Sequence, residues 1–288
     1  MDELELSIIV PYYNKWSRTK YLIESINRQS VDKSLFEVIF VDDGSEISLE
    51  SYLRELKLLF QYKVIRTQNQ GRAAARNVGL HAAVGKVIMF TDDDIILSPG
   101  LIEEHLRIHR NKTGIFVHSV IYDLIKLMKY EDVENGHFFD WIDQERCKCN
   151  EDDLLSFEKV FVNWEGFTAN KRLSRLEKRI LNIIDNEDLK EIQWEAFVGG
   201  NVSLDRKLCL SVGGFDERFR VWGGEDFELG YRLQQKGVTA VATTDGFCYH
   251  ITHSHSNSNL ERNISRDYFY QKYKDNNIRL LYEFLERK

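Results

Sequence analysis

Three consecutive aspartates, Asp92-Asp93-Asp94, close the run Lys86-Val87-Ile88-Met89-Phe90-Thr91. The apolar part of that run, β-branched and aromatic, reads as a strand buried on both faces of a parallel sheet. Like charges about 4 Å apart repel by about 1 kcal/mol in water and about 4 kcal/mol at an effective dielectric near 20. No Lys or Arg follows before Arg107, so a bound cation is the expected partner. Hard divalent ions such as Mg²⁺ and Mn²⁺ take carboxylate and phosphate oxygens. The same residues also fit an acidic turn, with Ser98-Pro99-Gly100 supplying the turn chemistry.

A second acidic pair, Glu225-Asp226, follows Trp222-Gly223-Gly224 and opens a helical pattern running to Gln235, with Leu229 and Leu233 inward and Gly237 as its stop. At a helix start the dipole favours ionised carboxylates, and a carboxylate held there against a ligand suits a general base for an alcohol. Taken alone, the pair also fits an ordinary acidic cap. A third group lies in Cys248-Tyr249-His250-Ile251-Thr252-His253-Ser254-His255, after an expected short strand from Val238 to Thr243. In an extended segment His253 and His255 share one face. One imidazole completing a carboxylate–diphosphate shell around Mn²⁺ is chemically sensible. A three-histidine zinc site is a second option, although no H-E-x-x-H pattern accompanies it.

The elements that must position these groups are legible upstream. Leu6 to Val10 is a buried strand ended by Pro11, and Phe36 to Val41 is a second, ending on Asp42-Asp43-Gly44-Ser45. Between them Tyr21, Leu22, Ser25 and Ile26 recur at helical spacing. A helix is expected from Leu49 to Phe60, and Lys63 to Ile65 is a third strand. This β-α-β-α-β order implies a parallel sheet with right-handed crossovers, and ligands outside the carboxyl ends of its strands. In Gly71-Arg72-Ala73-Ala74-Ala75-Arg76-Asn77-Val78-Gly79, small residues suit a helix starting close to another backbone, with Gly71 giving close approach. Arg72 and Arg76 share a face suited to phosphate contacts or to pairing with the aspartates. The piece matches neither the P-loop nor the Rossmann fingerprint.

V-P-Y-Y-N at 10–14, V-D-D-G-S at 41–45, G-R-A-A-A-R-N-V-G at 71–79 and F-T-D-D-D at 90–94 resemble, in order and spacing, the family 2 nucleotide-sugar glycosyltransferases with the GT-A fold. W-G-G-E-D, after Gly199-Gly200-Asn201 and Gly213-Gly214-Phe215-Asp216, resembles the block of the β-1,4-galactosyltransferases and related N-acetylgalactosaminyltransferases. The resemblance implies an α/β GT-A fold, mostly parallel, with an inserted helical segment and a helical tail. It implies that Pro11 and Tyr12 line the base pocket, that Asp43, with Asp42, binds uracil, and that Arg72 and Arg76 lie near the base or diphosphate. Asp92 or Asp93 would hold the ribose, and Gly200, Trp222 and Gly224 would line the donor site. Asp94 would bind Mn²⁺ or Mg²⁺ with His253, or with His250 as the next match. Asp226 would be the base and Glu225 would bind sugar. Retaining relatives usually carry Asn after that Glu, so Asp226 implies inversion. The expected reaction moves a hexose or N-acetylhexosamine from a UDP-sugar to a hydroxyl of a glycan, glycoprotein or lipid-linked saccharide. A nucleotidyltransferase and a non-catalytic sugar-nucleotide-binding protein are the competing classes.

The 288 residues divide by these signals into 1–115, the nucleotide-sugar half; 116–192, an inserted helical segment on the acceptor side; 193–256, the catalytic half; and 257–288, a helical tail. The tail's aromatic residues suit packing on the domain or on a second subunit, as in a homo-oligomer. In the middle segment a helix is expected from Leu173 to Ile184, and Phe138, Phe139, Trp141, Phe161 and Trp164 are read mainly as packing of the lobe. With 39 basic against 46 acidic residues, the formal charge of −7 gives no support to nucleic-acid or anionic-membrane binding. No apolar run approaches a membrane span, and the acidic start, Met1-Asp2-Glu3, does not resemble a signal peptide. Cys147, Cys149, Cys209 and Cys248 fit a reducing compartment. A cytoplasmic protein, free or peripheral to the membrane, is expected.

Overall fold

The computed structural model describes residues 4–143, 146–169, 171–221, 223–254 and 258–286, with only the backbone described at 258–259. Ten strands are described: β1 (Leu6–Tyr12), β2 (Phe36–Asp42), β3 (Gln61–Arg66), β4 (Val87–Thr91), β5 (Ile95–Leu97), β6 (Ile115–Asp123), β7 (Tyr130–Asp132), β8 (His137–Phe138), β9 (Asn201–Asp205) and β10 (Thr239–His250). The helices are α1 (Trp16–Asn27), α2 (Leu49–Leu53), α3 (Arg72–Ala82), α4 (Leu101–Asn111), α5 (Trp164–Thr168), α6 (Arg175–Asp185), α7 (Arg206–Ser211), α8 (Glu225–Gln235), α9 (Ser258–Tyr273) and α10 (Asn276–Glu286).

Alternation along the strands builds a two-sided core. Leu6, Ile8 and Val10 of β1 face Leu22 and Ile26 of α1 and Leu101 and Leu106 of α4. Ile9, one residue out of phase, joins Leu80 of α3, Ile180 of α6 and Leu229 of α8 on the other face. Eight strands form one sheet in the order β3-β2-β1-β4-β9-β6-β10-β5. The pairs β3–β2, β2–β1, β1–β4 and β6–β10 are parallel, whereas β9 runs antiparallel to both neighbours and β5 antiparallel to β10. This is a mostly parallel α/β sheet covered by helices, as expected.

Register brings the chemistry to one edge. Tyr12 pairs with Asp42, Thr91 with Asn201, Asp123 with His250, and His250 with Ile95. The ends of β1, β2, β4, β6 and β10 and the start of β9 therefore meet beside Asp92, Asp93 and Asp94.

Several elements differ from the sequence reading. α2 stops at Leu53 instead of Phe60, because Asn27 binds the following chain: its side chain donates to the Lys57 carbonyl at 3.1 Å and accepts from the Leu59 amide at 2.9 Å. β10 is twelve residues long and includes His250; a bulge between Thr243 and Phe247 hides its continuity. Residues 115–123 are a sheet strand, so the segment 116–192 begins inside the core sheet, and its remainder mixes the β7–β8 hairpin with α5 and α6. α6 matches its helical pattern, with the Ser174 side chain accepting from the Glu177 amide at 3.0 Å. The tail forms α9 and α10 on the domain itself. There Phe269, Ile278, Leu281 and Tyr282 pack against Trp194, Phe219 and Phe227, and Lys272 pairs with Glu228 at 2.6 Å.

Candidate active site

The three aspartates at the end of β4 have protein counter-charges, and both come from residues that precede them. Arg76 Nη2 donates to Asp92 at 2.8 Å, and Lys15 Nζ lies 2.9 Å from Asp94 Oδ2 and 3.5 Å from Asp93 Oδ1. Pairing of Arg76 with an aspartate is one of the two roles its spacing suggested; Lys15, in the loop that follows Pro11 and Tyr12, carries no motif that points to it. Burial opposes ionisation of Asp94, but Lys15, His250 and His253 outweigh it and hold its pKa well below the ordinary carboxylate value. For Asp93, burial, only partly offset by Lys15, combines with repulsion from Asp94 and Asp92 to push the pKa up to about 6.

Asp94 is joined by the histidines of β10 and the residues just after it, because the Ile251 amide bonds the Asp94 carbonyl at 2.8 Å. His253 Nε2 lies 3.0 Å from Asp94 Oδ2 and His250 Nε2 3.8 Å from Asp94 Oδ1. One ligand atom from each of Asp94, His250 and His253 falls within 4.8 Å of the others. Burial disfavours the charged form of His250, but Asp94 and Asp123 more than offset it and raise its pKa; Asp123 Oδ1 lies 3.1 Å from Nδ1. For His253, burial and then Lys15 lower the pKa, which favours the neutral ring that binds metals. Asp94 Oδ1 is buried and accepts no hydrogen bond among the described residues. An orphaned carboxylate oxygen beside two imidazoles, one oriented by a carboxylate, is a donor set that fits Mn²⁺. His255 lies outside the described residues.

Asp226 lies at the first turn of α8 and accepts from the Gly199 amide at 3.1 Å and the Phe227 amide at 2.8 Å. Its pKa is nevertheless raised to about 7, first by burial and then by the Glu225 charge, against the pull of Arg76. Burial thus opposes the ionised state expected at a helix start. Glu225 accepts from Arg76 Nη1 at 2.8 Å. Arg76 is therefore a buried bridge from Asp92 to Glu225: the pairing with an aspartate matches one reading of its spacing, and the contact with Glu225 was not anticipated. Gly199 faces the guanidinium so closely that an added Cβ would lie 2.8 Å from Nη2.

Two adjoining cavities hold these groups. The larger, about 710 Å³, is lined by Arg72, Arg76, Asp92, Asp94, His250 and His253, and also by Gly200, Gly224, Glu225 and Asp226. Glu177 of α6 and Tyr282 of α10 line it too, two residues that no motif pointed to. The smaller, about 280 Å³, is lined by Pro11, Tyr12, Asp43, Arg72, Asp92 and Asp93. Asp43 accepts from the Gln70 and Gly71 amides at 3.0 and 2.9 Å. Asp42 lines neither cavity. Its carboxylate accepts from the Ser45 and Leu49 amides at 2.9 and 3.0 Å, so it shapes the loop after β2 instead of facing a ligand. At Gly71 the requirement is a φ of +93°, not close approach, since an added Cβ would meet the Arg220 carbonyl at an ordinary 3.5 Å. Trp222 lies outside the described residues. Of the middle aromatics, Phe161 is buried in the lobe and Phe138 and Trp164 pack against that core, while Trp141 stays half exposed and donates to Ser254 Oγ at 3.0 Å.

Residues 7–175 match the family described as glycosyl transferase family 2, and residues 182–254 match the N-terminal domain of galactosyltransferase. An uncharacterized glycosyltransferase of Bacillus subtilis (strain 168), YfnE, is 31% identical over 287 residues, spanning 96% of this chain and 72% of that protein. Among solved structures, the mannosyltransferase PcManGT from Pyrobaculum calidifontis, in complex with GDP-Man and Mn²⁺, aligns with a TM-score of 0.61 at 15% identity, over 92% of this chain and 61% of that one. GalNAc-T7 with UDP, GalNAc and Mn²⁺ aligns with a TM-score of 0.57 at 20% identity, over 93% of this chain and 50% of that one. At these identities the two structures establish the shared fold.

Proposed function

Because this chain belongs to glycosyl transferase family 2 and has the GT-A fold, we propose that it is an inverting, metal-dependent glycosyltransferase that uses a UDP-hexose or UDP-N-acetylhexosamine. That it is a nucleotide-sugar glycosyltransferase follows from the family; the donor, the metal and the stereochemistry are our reading. The observation that carries it is the shared cavity, lined both by Asp94, His250 and His253 and by Asp226.

The smaller cavity would take the nucleoside, with Asp43 and Tyr12 against the base and Asp93 near the ribose. Asp94 with His250 and His253 would hold Mn²⁺ or Mg²⁺. The ion, when bound, supplies Lewis-acid neutralisation of the diphosphate leaving group. Asp226, with a pKa of about 7, accepts the proton of an acceptor hydroxyl near neutral pH. Glu225, fixed by Arg76, remains an acceptor for sugar hydroxyls. Single displacement at the anomeric carbon then inverts its configuration. We take the acceptor to be a hydroxyl on a glycan, glycoprotein or lipid-linked saccharide. The reaction is assigned to the cytoplasm, where the four unpaired cysteines would stay reduced; no helix among the described residues is long and apolar enough to cross a membrane.

The test is nucleotide release from UDP-Glc, UDP-Gal, UDP-GlcNAc, UDP-GalNAc and GDP-mannose, with Mn²⁺ or with EDTA, followed by NMR of the product's anomeric centre. Mn²⁺-dependent UDP release and a β-configured product are expected. Preference for GDP-mannose, full activity in EDTA, or retention would each contradict the reading.

A further inference from the structure

Lys15 reaches two of the three candidate metal ligands. Its Nζ lies 2.9 Å from Asp94 Oδ2 and 2.8 Å from His253 Nε2, two atoms that are themselves 3.0 Å apart. An ammonium only donates, so the 2.8 Å contact with Lys15 requires the lone pair on Nε2 and puts the ring proton on Nδ1, which lies 3.4 Å from the Ser254 carbonyl. A carboxylate oxygen and an imidazole lone pair at that separation repel unless a cation is shared between them. The ammonium is that cation. An imidazole nitrogen has one lone pair, so Nε2 can accept a hydrogen from Lys15 or bind a metal ion, but not both.

We propose that Lys15 is a built-in counter-cation that keeps Asp94 and His253 in ligand geometry without metal, and that a divalent ion binds by displacing it. The inference rests on the reading of Asp94 and His253 as metal ligands. The lysine has somewhere to go. Its side chain is a quarter exposed, Asp93 Oδ1 is already 3.5 Å away, and Lys15 lines the smaller cavity with Arg72. A diphosphate bound between the two cavities would give the displaced ammonium a new partner. Metal and nucleotide binding are then coupled through one side chain, and the coupling is reciprocal.

The experiment is titration of Mn²⁺, followed by EPR of the free ion, into the full chain and into Lys15→Met and Lys15→Gln, each with and without UDP. Melting temperatures in EDTA and in Mn²⁺ are measured alongside. UDP is expected to tighten Mn²⁺ binding to the unmodified protein by about tenfold or more, within the usual range of coupling between sites. Without UDP, Lys15→Met is expected to bind Mn²⁺ about tenfold more tightly than the unmodified protein, with most of the UDP enhancement gone. It should also melt lower in EDTA and regain more of its melting temperature from Mn²⁺ than the unmodified protein does. Lys15→Gln should move the same way by less, and it carries the test if Lys15→Met does not fold. Equal Mn²⁺ affinities with an equal UDP enhancement in all three proteins would overturn the role of Lys15 alone. Absence of Mn²⁺ binding in all three would overturn the metal reading together with it.

Discussion

Arg76 and Glu225, separated by 149 positions in the chain, meet at 2.8 Å in the interior, and the other guanidinium nitrogen meets Asp92 at the same distance. One side chain thus ties the aspartate end of β4 to the carboxylate start of α8. With its charge nearly fully buried, the bridge sets the spacing between the Asp92 end and the Glu225 end of the cavity.

Removing Arg76 strands two carboxylates. Arg76→Met is expected to destabilise the protein by roughly 3–5 kcal/mol, the cost of leaving a buried charge without its partner. Arg76→Lys cannot fork to both oxygens and should recover only part of that. Urea unfolding midpoints check both.

Gly199 shields the same bridge. A Cβ there would lie 2.8 Å from Arg76 Nη2 and 2.9 Å from Cζ, so Gly199→Ala forces the guanidinium aside. A loss of about 1–3 kcal/mol is expected, as for other overpacked sites. Transfer activity should fall further than stability alone explains, because Glu225 shifts with its partner. Melting temperature and kcat/KM on the same preparation separate the two.

The raised pKa of Asp226 sets a pH profile. A base must be deprotonated, so kcat/KM should rise with unit slope below about pH 7 and level off above it. The stability consequence has the opposite direction. A carboxyl whose folded pKa lies above its unfolded value stabilises the fold fully below the unfolded value, near 3.8, and loses that contribution as pH rises through about 7. Asp226→Asn should therefore gain roughly 1–3 kcal/mol over the unmodified protein at pH 8, with the gap closing toward acid, since each tenfold change in proton affinity between the folded and unfolded chain is worth about 1.4 kcal/mol. Unfolding curves at pH 5 and pH 8 measure it.

His105 supplies a separate acid response. It is fully buried between Ser203 and Ser119, at 2.6 and 2.5 Å, and burial lowers its pKa to about 3. The unfolded chain takes up that proton below about 6.5 while the folded chain does not, so stability falls by about 1.4 kcal/mol for each step of one in pH across that window. Asp226 contributes with the opposite sign over part of the range. The difference between the unmodified protein and His105→Gln, followed from pH 7 to pH 5, isolates the histidine and should shrink as the pH drops.

Much of this was legible in the sequence, for local reasons. Strand runs such as Ile8-Ile9-Val10 and Val38-Ile39-Phe40 carry their burial in their composition, and α8 announces itself by Gly224 before it and Gly237 after it. The family resemblance extended that to the fold. What stayed hidden depends on contacts between distant segments. α2 ends early because Asn27, in another helix, captures its continuation. The strand character of 115–123 depends on β9 and β10 lying on either side. Lys15 escaped notice because its partners Asp94 and His253 lie 79 and 238 positions downstream, and the spacing of Arg76 suggested a phosphate or an aspartate but gave no sign of Glu225, 149 positions away. Asp226 was singled out by its motif, but its pKa follows from burial, which spacing does not report.

In the proposed reaction Asp226 accepts the acceptor proton in a metal-dependent transfer. The most direct measurement compares Asp226→Asn with the unmodified protein in two ways at once: UDP binding in the presence of Mn²⁺, and turnover of the preferred UDP-sugar near pH 8. Binding is expected to persist within a few-fold while turnover drops by about 10²–10⁴-fold, the usual contribution of a positioned general base. Turnover that survives the substitution would contradict it.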